Sequence, residues 1–316
     1  MSDKIIFFKS NEFNDLLLKS YCSSFNKVFL KNYNSIFFKK KYSGNYKGFS
    51  YHTFLVDDNN NVCAACTIMP SIYKIDQKDI YVGTLVDVFI KPEKRNDPLL
   101  LLKLYNKIID NVNLQSLQLI IAVPNSNAYN YWIKVVKFKK LGNLNYYILP
   151  ILSNKLRFFG VLSSFIFLKI TSVLNFFFIR PKIRPIKKKA CKKYLRNRFL
   201  ENVHKKIIIN NEKIFFRIMN EKNFKIAYVF NLGKNVKFNF NRSISKISRI
   251  RDIDFITFIG NLPIRQFSLI KLPEKIQPVQ LPLCIKLIDK SISEESIEQL
   301  SDIDNWEFSL YNFDVR

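Results

Sequence analysis

The chain has 316 residues, enough for two ordinary domains, and a hydrophobic content of 48% can build real cores. Lys and Arg number 51 against 25 Asp and Glu, a net charge of +26; abundant Lys, Asn, Ile and Phe suggest an A/T-rich genome and assign part of it to codon drift, and the rest calls for anionic company: nucleic acid, an anionic membrane face or phosphate-bearing substrates. Only two histidines are present, His52 and His204, with no Gly-x-Ser-x-Gly elbow and no His-x-x-x-His pair, so serine-hydrolase and zinc chemistry are excluded as leading readings.

The first predicted element is a helix within Asn11–Leu30, where Leu16–Leu18, Tyr21, Phe25 and Phe29 share a face. Two β-rich runs, Ser50–Val56 and Val62–Met69, flank Asp57-Asp58-Asn59-Asn60-Asn61 and read as a hairpin. Cys63-Ala64-Ala65-Cys66 lies in the second run. Residues three apart on a strand point to opposite faces, so these sulfurs are expected to be buried hydrophobes rather than metal ligands. Five unevenly spaced cysteines and a polar N-terminus without a secretory pattern predict a reducing, cytoplasmic setting.

Ile80–Ile90 is the next strand, carrying one carboxylate, Asp87, among Leu85, Val86, Val88 and Phe89. A polar turn, Lys91–Asp97, follows. Pro98 then opens a helix with Leu101, Leu104, Tyr105, Ile108 and Ile109 on one side and Asp97 as its cap. The helix N-terminus faces whatever lies beyond the strand end, and its free amides and dipole suit an anion. A strand at Leu119–Val123, a helix at Ala128–Val136 and a strand at Tyr146–Leu149 complete this half.

Leu156–Ile179 is a long apolar helix with Lys169 near its middle and Ser164, Thr171, Ser172 and Asn175 on one side. The acid-free run from Arg180 to Lys193 follows it. An apolar helix with a basic cluster predicts a peripheral anchor on the inner, anionic membrane face; a buried inter-domain helix is the alternative, and a span, for which the segment is long enough, is disfavoured because it would put the two halves on opposite sides. A second α/β pattern begins at Tyr194, with strands at Lys206–Asn210, Lys213–Met219, Ile226–Leu232 and Asp254–Gly260, further β-rich material in Gln277–Ile288, and helices at Ser243–Ile250 and Ser293–Leu300. The expected domains are therefore 1–150, a linker 151–193, and 194–316.

The strand–turn–helix at Thr84–Asp110, with Pro124-Asn125-Ser126-Asn127 leading into an aromatic-bearing helix, resembles the GNAT acyltransferase superfamily, in particular GNAT-like proteins of bacterial surface-polysaccharide gene clusters. The resemblance covers the first half in order and spacing; Trp306–Asp314 shares its look. It implies an α/β, GNAT-like fold with two such halves, the second degenerate. It implies an acetyl or similar acyl group moved from acetyl-coenzyme A to an amine, an amino-sugar precursor or lipid-linked amino-sugar being the expected acceptor. In this family a basic turn, Arg/Gln-x-x-Gly-x-Gly/Ala, holds the coenzyme diphosphate. Arg95 occupies the Arg position, while Pro98 and Leu100 stand where the glycines belong. Proline removes a donor and Asp97 adds negative charge.

On that resemblance, Val88, Ile90, Arg95, Leu99, Leu100, Asn125 and Asn127 are the expected cofactor-binding residues. Asp87 is the expected base, and Tyr129 or Tyr131 the acid that protonates the thiolate. A carboxylate among apolar neighbours is desolvated, which suits a base; the bland alternative is that Asp87 caps a turn or pairs with a buried Lys, and that the tyrosines are ordinary packing. No metal site is expected. Asp302, Asp304 and Asp314 near Trp306 are a candidate site for a cationic amino-sugar, or simply a solvated acidic turn. A GNAT-like fold that has lost its cofactor loop and binds a partner at the membrane surface, as Pro98 and Asp97 suggest, is the competing reading. Nucleic-acid binding is disfavoured, because the basic residues are not interleaved with aromatics in a known module.

Overall fold

The structure is a computed structural model. It describes residues 3–76, 78–112, 117–151, 153–199, 203–233, 236–250, 252–289 and 291–313, the side chains at 153–161, 164 and 236–238 excepted. The chain forms two compact units: Met1–Gly142 with Lys188–Arg198 and Pro282–Ser301, and Asn143–Lys187 with Phe199–Leu281 and Asp302–Arg316. Strands and helices are numbered in chain order.

In the first unit the order is β1 (Lys4–Lys9), α1 (Asp15–Phe29), α2 (Ser35–Ser43), β2 (Tyr51–Val56), β3 (Val62–Ile75), β4 (Lys78–Ile90), α3 (Leu100–Asn111), β5 (Leu119–Ala122), α4 (Ser126–Lys134) and β6 (Lys139–Asn143). Later chain adds α6 (Lys192–Arg198), β16 (Pro282–Leu287) and α8 (Glu294–Ser301). The sheet order is β1-β2-β3-β4-β5-β16-β6. Strands β1 to β4 form an antiparallel meander, β4 and β5 run parallel, and β16 is antiparallel to β5.

Helix α1 starts because the Asn14 side chain accepts the Leu17 amide. Its buried residues, Leu17, Leu18, Tyr21 and Phe25, join Phe38 and Tyr42 of α2 over Phe54 and Phe89 on one sheet face. Leu16, expected on that face, is 79% exposed, since it lies a helical step away from the Leu17–Tyr21 row. On the other sheet face Leu101, Leu104, Tyr105 and Ile108 of α3 pack with Leu55, Cys66 and Ile120, and α4 adds Trp132. The β2–β3 turn is closed by Asp57, whose carboxylate accepts the amides of Asn59 and Asn61, with Asn60 at φ 60°.

Several boundaries move. Helix α3 begins at Leu100 rather than Pro98, because Asp97 folds the preceding residues into a turn: its side chain accepts the Leu99 amide and its carbonyl the Leu100 amide. Helix α4 covers Ser126–Lys134 rather than 128–136, capped by Asn125. Strand β3 runs on to Ile75, past Pro70, which lies beyond the last β2 pair, Tyr51–Ile68. Cys63 and Cys66 do not split between the sheet faces. A register shift beside Val56 flips the alternation, so both are buried in the core under α3. Among the described residues, no group of three or more His, Cys, Asp or Glu is placed to hold a metal ion.

The second unit contains β7 (Tyr146–Pro150), α5 (Ser153–Phe178), the short strands β8 (Arg180–Pro181) and β9 (Ile186–Lys188), β10 (Lys205–Ile209), β11 (Glu212–Glu221), β12 (Phe224–Val229), α7 (Val236–Ser248), β13 (Phe255–Ile259), the pairs β14 (Ile264–Arg265) and β15 (Ile270–Lys271), and β17 (Trp306–Glu307). Its main sheet runs β10-β11-β12-β13-β7-β15. The directions repeat those of the first unit: an antiparallel meander, one parallel pair (β12–β13) spanned by a helix, then an antiparallel strand. Strand β7 stands in this sheet, although it directly follows first-unit sequence, and β16 from late in the chain stands in the first sheet. The units therefore interleave along the chain instead of parting at residues 150 and 194. Leu149, Phe216, Val229, Phe240, Ile256 and Phe258 build the second core.

Helix α5 turns its polar side inward. Asn175 donates to Asn241 (2.8 Å) and Ser268 (2.9 Å), Ser268 donates to Thr171 (3.0 Å), and Thr171 and Asn175 are buried beside Leu168. Ser172 is half-buried, and the Ser164 side chain lies outside the described residues. Among the described residues, no helix is long and apolar enough to cross a membrane. Asp302 caps a turn through the Asp304 amide and Asp304 meets Arg184, so both have structural work; Asp314 lies outside the described residues.

Candidate active site

Strand β4 is the pivot of the first unit. It pairs with β5 only at Val82–Leu119, Gly83–Ile120 and Thr84–Ile121. Beyond Thr84 the two parallel strands part, and Leu85–Ile90 keeps β3 on one edge, with no strand partner on the other among the described residues. The parting coincides with a bulge. Ala65 pairs with Phe89 and Thr67 with Val86, so Asp87 and Val88 together oppose Cys66. Asp87 takes φ 53°, a left-handed conformation that Asp and Asn tolerate better than other side chains. The tight point before the parting is Gly83, where a Cβ would lie 2.6 Å from Ile68 Cγ2 and 3.4 Å from the Leu117 methyls.

The bulge turns Asp87 towards α2. Its side chain is fully buried. Lys41 Nζ lies 3.0 Å from Oδ1 and 2.9 Å from Oδ2, and the Tyr42 hydroxyl donates to Oδ2 at 2.5 Å. The Tyr21 hydroxyl is 2.5 Å from that of Tyr42. His52 stands beside them, its ring 4.4 Å from that of Tyr42. Its Nδ1 is 2.9 Å from the Thr67 hydroxyl, while Nε2 is buried with no hydrogen-bond partner. Burial first, and the Lys41 ammonium second, hold His52 well below the ordinary histidine range, so the ring is neutral. Asp87 is thus a carboxylate paired with a largely buried Lys, the alternative weighed against a lone desolvated base. The cause is α2, which brings Lys41 and Tyr42 to it and was not anticipated in the sequence.

The turn after β4 is placed as predicted but wired differently. Arg95 is exposed and donates from Nε to the Ile90 carbonyl at 3.1 Å. Val88 and Ile90 are half-buried at the open strand end. At the start of α3, Asp97 engages the Leu99 and Leu100 amides and pairs with Lys103 at 2.7 Å. The hydrogen bond from Lys103 holds Asp97 below the usual carboxylate range. The Leu102 amide donates to the Tyr131 hydroxyl at 3.1 Å. Three amides of this helix start are therefore already bonded within the chain.

Tyr131 sits on α4 with its hydroxyl at the head of α3; burial raises its pKa, partly opposed by the Leu102 bond, so it stays protonated near neutrality. Tyr129 is half-buried, with Lys140 Nζ 5.7 Å from its ring centre. Asn125 is spent as the cap of α4, accepting the Ala128 amide at 2.9 Å, and Asn127 is exposed. Asp87 thus works on the face covered by α1 and α2, and Tyr131 on the face covered by α3. The sequence reading missed Lys41, Tyr42 and the closeness of His52. The one local signal was Phe38 and Tyr42 four apart after Asn34, which caps α2 by accepting the Phe37 amide.

No protein-family model matches the chain, and no curated protein matches it in sequence. Solved structures match in shape. A conserved protein of unknown function from Enterococcus faecalis V583, titled a probable N-acyltransferase, is 8% identical, with a TM-score of 0.59 over 91% of this chain and 73% of its own. A GCN5-related N-acetyltransferase from Kribbella flavida is 9% identical, with a TM-score of 0.57 over 90% and 71%. One from Anabaena variabilis ATCC 29413 is 11% identical, with a TM-score of 0.55 over 90% and 73%. The chain has the GNAT N-acetyltransferase fold.

Proposed function

We propose that the chain transfers an acyl group from a coenzyme A thioester to an amine. The observation that carries this reading is the parting of β4 and β5 after Thr84–Ile121, with the Asp87 bulge at the fork. An unpaired strand edge offers backbone donors and acceptors to an extended, amide-bearing arm such as pantetheine. The fit is good along Val88 and Ile90. It is poor at the diphosphate end, where Asp97 and Tyr131 already hold three amides and Asp97 is negative.

In this reading the thioester supplies the acyl group. Attack by the amine nitrogen on the thioester carbon forms the C–N bond and breaks the C–S bond. Asp87 takes the proton that the amine loses, and Tyr42 and Lys41 hold its orientation. Tyr131 stays protonated and gives its proton to the leaving thiolate, while Tyr129 is the alternate donor. Arg95, freed from the Ile90 carbonyl, meets the diphosphate. An amino-sugar is the acceptor to test first, on the strength of the sequence resemblance. All five cysteines are free thiols, which fits the reducing compartment we assign.

The engaged α3 start favours one other reading: a GNAT-like fold that no longer binds coenzyme A and instead binds a partner at the membrane surface. Thermal unfolding with acetyl-coenzyme A separates the two. A ligand at 100 times its dissociation constant stabilises by about 2.7 kcal/mol. A rise in melting temperature that Arg95→Ala abolishes supports transfer. No rise at millimolar ligand, with the protein folded, leaves the binding reading.

A further inference from the structure

Helix α5 is built inside out for a helix facing water. Its inward row is Leu168, Thr171, Asn175 and Ile179, and the polar members of that row are satisfied by Ser268 and Asn241. The opposite row is apolar and exposed: Ile166 (50%), Ile170 (57%), Val173 (58%) and Phe177 (71%), flanked by Phe165 and Phe176. These positions follow the helical repeat over about three turns, so they form one continuous stripe. A stripe of this kind, left in water, is a docking surface.

Charge selects the occupant. Between Asp110 and Glu201 the chain has no acidic residue. Lys169 projects beside the stripe, its Nζ 4.9 Å from the Phe165 ring centre. Immediately after α5, Arg180 on β8 stands directly opposite Arg265 on β14, both exposed, with exposed Lys182 next along the chain. Like charges paired across two strands repel unless an anion lies between them. No ion pair of these four cations is present among the described residues. A second copy of this chain would meet the cluster with its own, each chain carrying +26, so self-association on this face is electrostatically opposed.

We infer that α5 lies in the surface of an anionic membrane, with the Ile166–Phe177 stripe among the acyl chains and Lys169, Arg180, Lys182 and Arg265 on the lipid phosphates. Lys169 reaches the headgroups by lying along the helix while its stem stays in the apolar layer. The inference does not depend on the acyl-transfer reading.

The test is flotation of the full chain with vesicles of phosphatidylcholine alone or with one-third phosphatidylglycerol, alongside sedimentation velocity without lipid. The anionic vesicles bind at least tenfold more tightly, and binding weakens with salt. Ile170→Glu with Phe177→Glu, at exposed positions, lowers binding at least tenfold while the melting temperature holds. Arg180→Gln with Arg265→Gln lowers the preference for anionic vesicles about fivefold per charge removed. Equal binding of both vesicle types, no binding of either, or full binding by the Glu variant overturns the inference. A dimer that the Glu variant dissociates also overturns it, because a second copy then covers the stripe.

Discussion

Replacing Lys41 with Met tests how the site is held. The side chains of Asp87 and Lys41 are 0% and 10% exposed, and two contacts of 3.0 Å or less join them. Lys41→Met keeps most of the stem packing but takes the ammonium away from a buried carboxylate that still accepts from the Tyr42 hydroxyl. Breaking a buried pair by removing one partner costs about 3–5 kcal/mol. In a unit of this size each kcal/mol lowers the melting temperature by about 2–4 °C, so the fall is about 6–20 °C. The double variant Lys41→Met/Asp87→Asn removes both charges and regains most of that loss, since a neutral pair in an apolar site is far less costly. Thermal and urea unfolding of the four proteins completes the cycle. A single-variant loss below about 1 kcal/mol, or no recovery in the double variant, would refute a buried ion pair at the fork.

His52 gives a pH signature. It is neutral in the folded protein, whereas the unfolded chain protonates near 6.5, so below that pH the unfolded state binds the extra proton and stability falls as pH falls. The stability difference between the protein and His52→Gln should shrink by about 1.4 kcal/mol per pH unit below 6.5; parallel profiles between pH 6.5 and 5 contradict it. Gly83→Ala forces a Cβ to within 2.6 Å of Ile68 on β3 and is expected to destabilise by about 1–3 kcal/mol in urea unfolding; a neutral result means the packing of Ile68 over Gly83 is looser than described. Tyr131→Phe removes the acceptor of the Leu102 amide, with an expected loss of about 1 kcal/mol. If Tyr131 is also the thiolate's proton donor, kcat drops by tenfold or more with KM little changed. Unchanged kcat, measured by thiol release from acetyl-coenzyme A, assigns it to structure alone.

The core order of the first unit was legible because its elements carry local marks: the Val62 and Ile80 runs are β-rich, and Leu101, Leu104, Tyr105 and Ile108 repeat as a helix. Asp87 was also legible as a carboxylate in an apolar strand. Its partners were not, because α2 is short and lysine-rich, and nothing local to Lys41 signals a contact with a residue 46 positions away. The bulge that gives Asp87 φ 53° leaves no local mark either, as it arises from register with β3. Strand β1 hides in a lysine-flanked start, its Ile5–Phe8 run too short to stand out. The interleaving of β7 and β16 is set by pairings between distant segments, and these are not written in composition. In α5 the apolar residues and the polar row were both visible, but which side faced inward depended on Ser268 and Asn241, about 70–90 residues downstream.

The central claim is that a thioester arm lies along the open edge of β4. Amide hydrogen exchange, followed residue by residue with and without saturating acetyl-coenzyme A, tests it most directly. The account predicts slowed exchange confined to the Leu85–Ile90 edge and the Arg95–Leu101 turn, with β2 and the second unit unchanged. Unchanged exchange at Leu85–Ile90 under conditions where the ligand is bound would contradict it, and would move the binding site away from the fork.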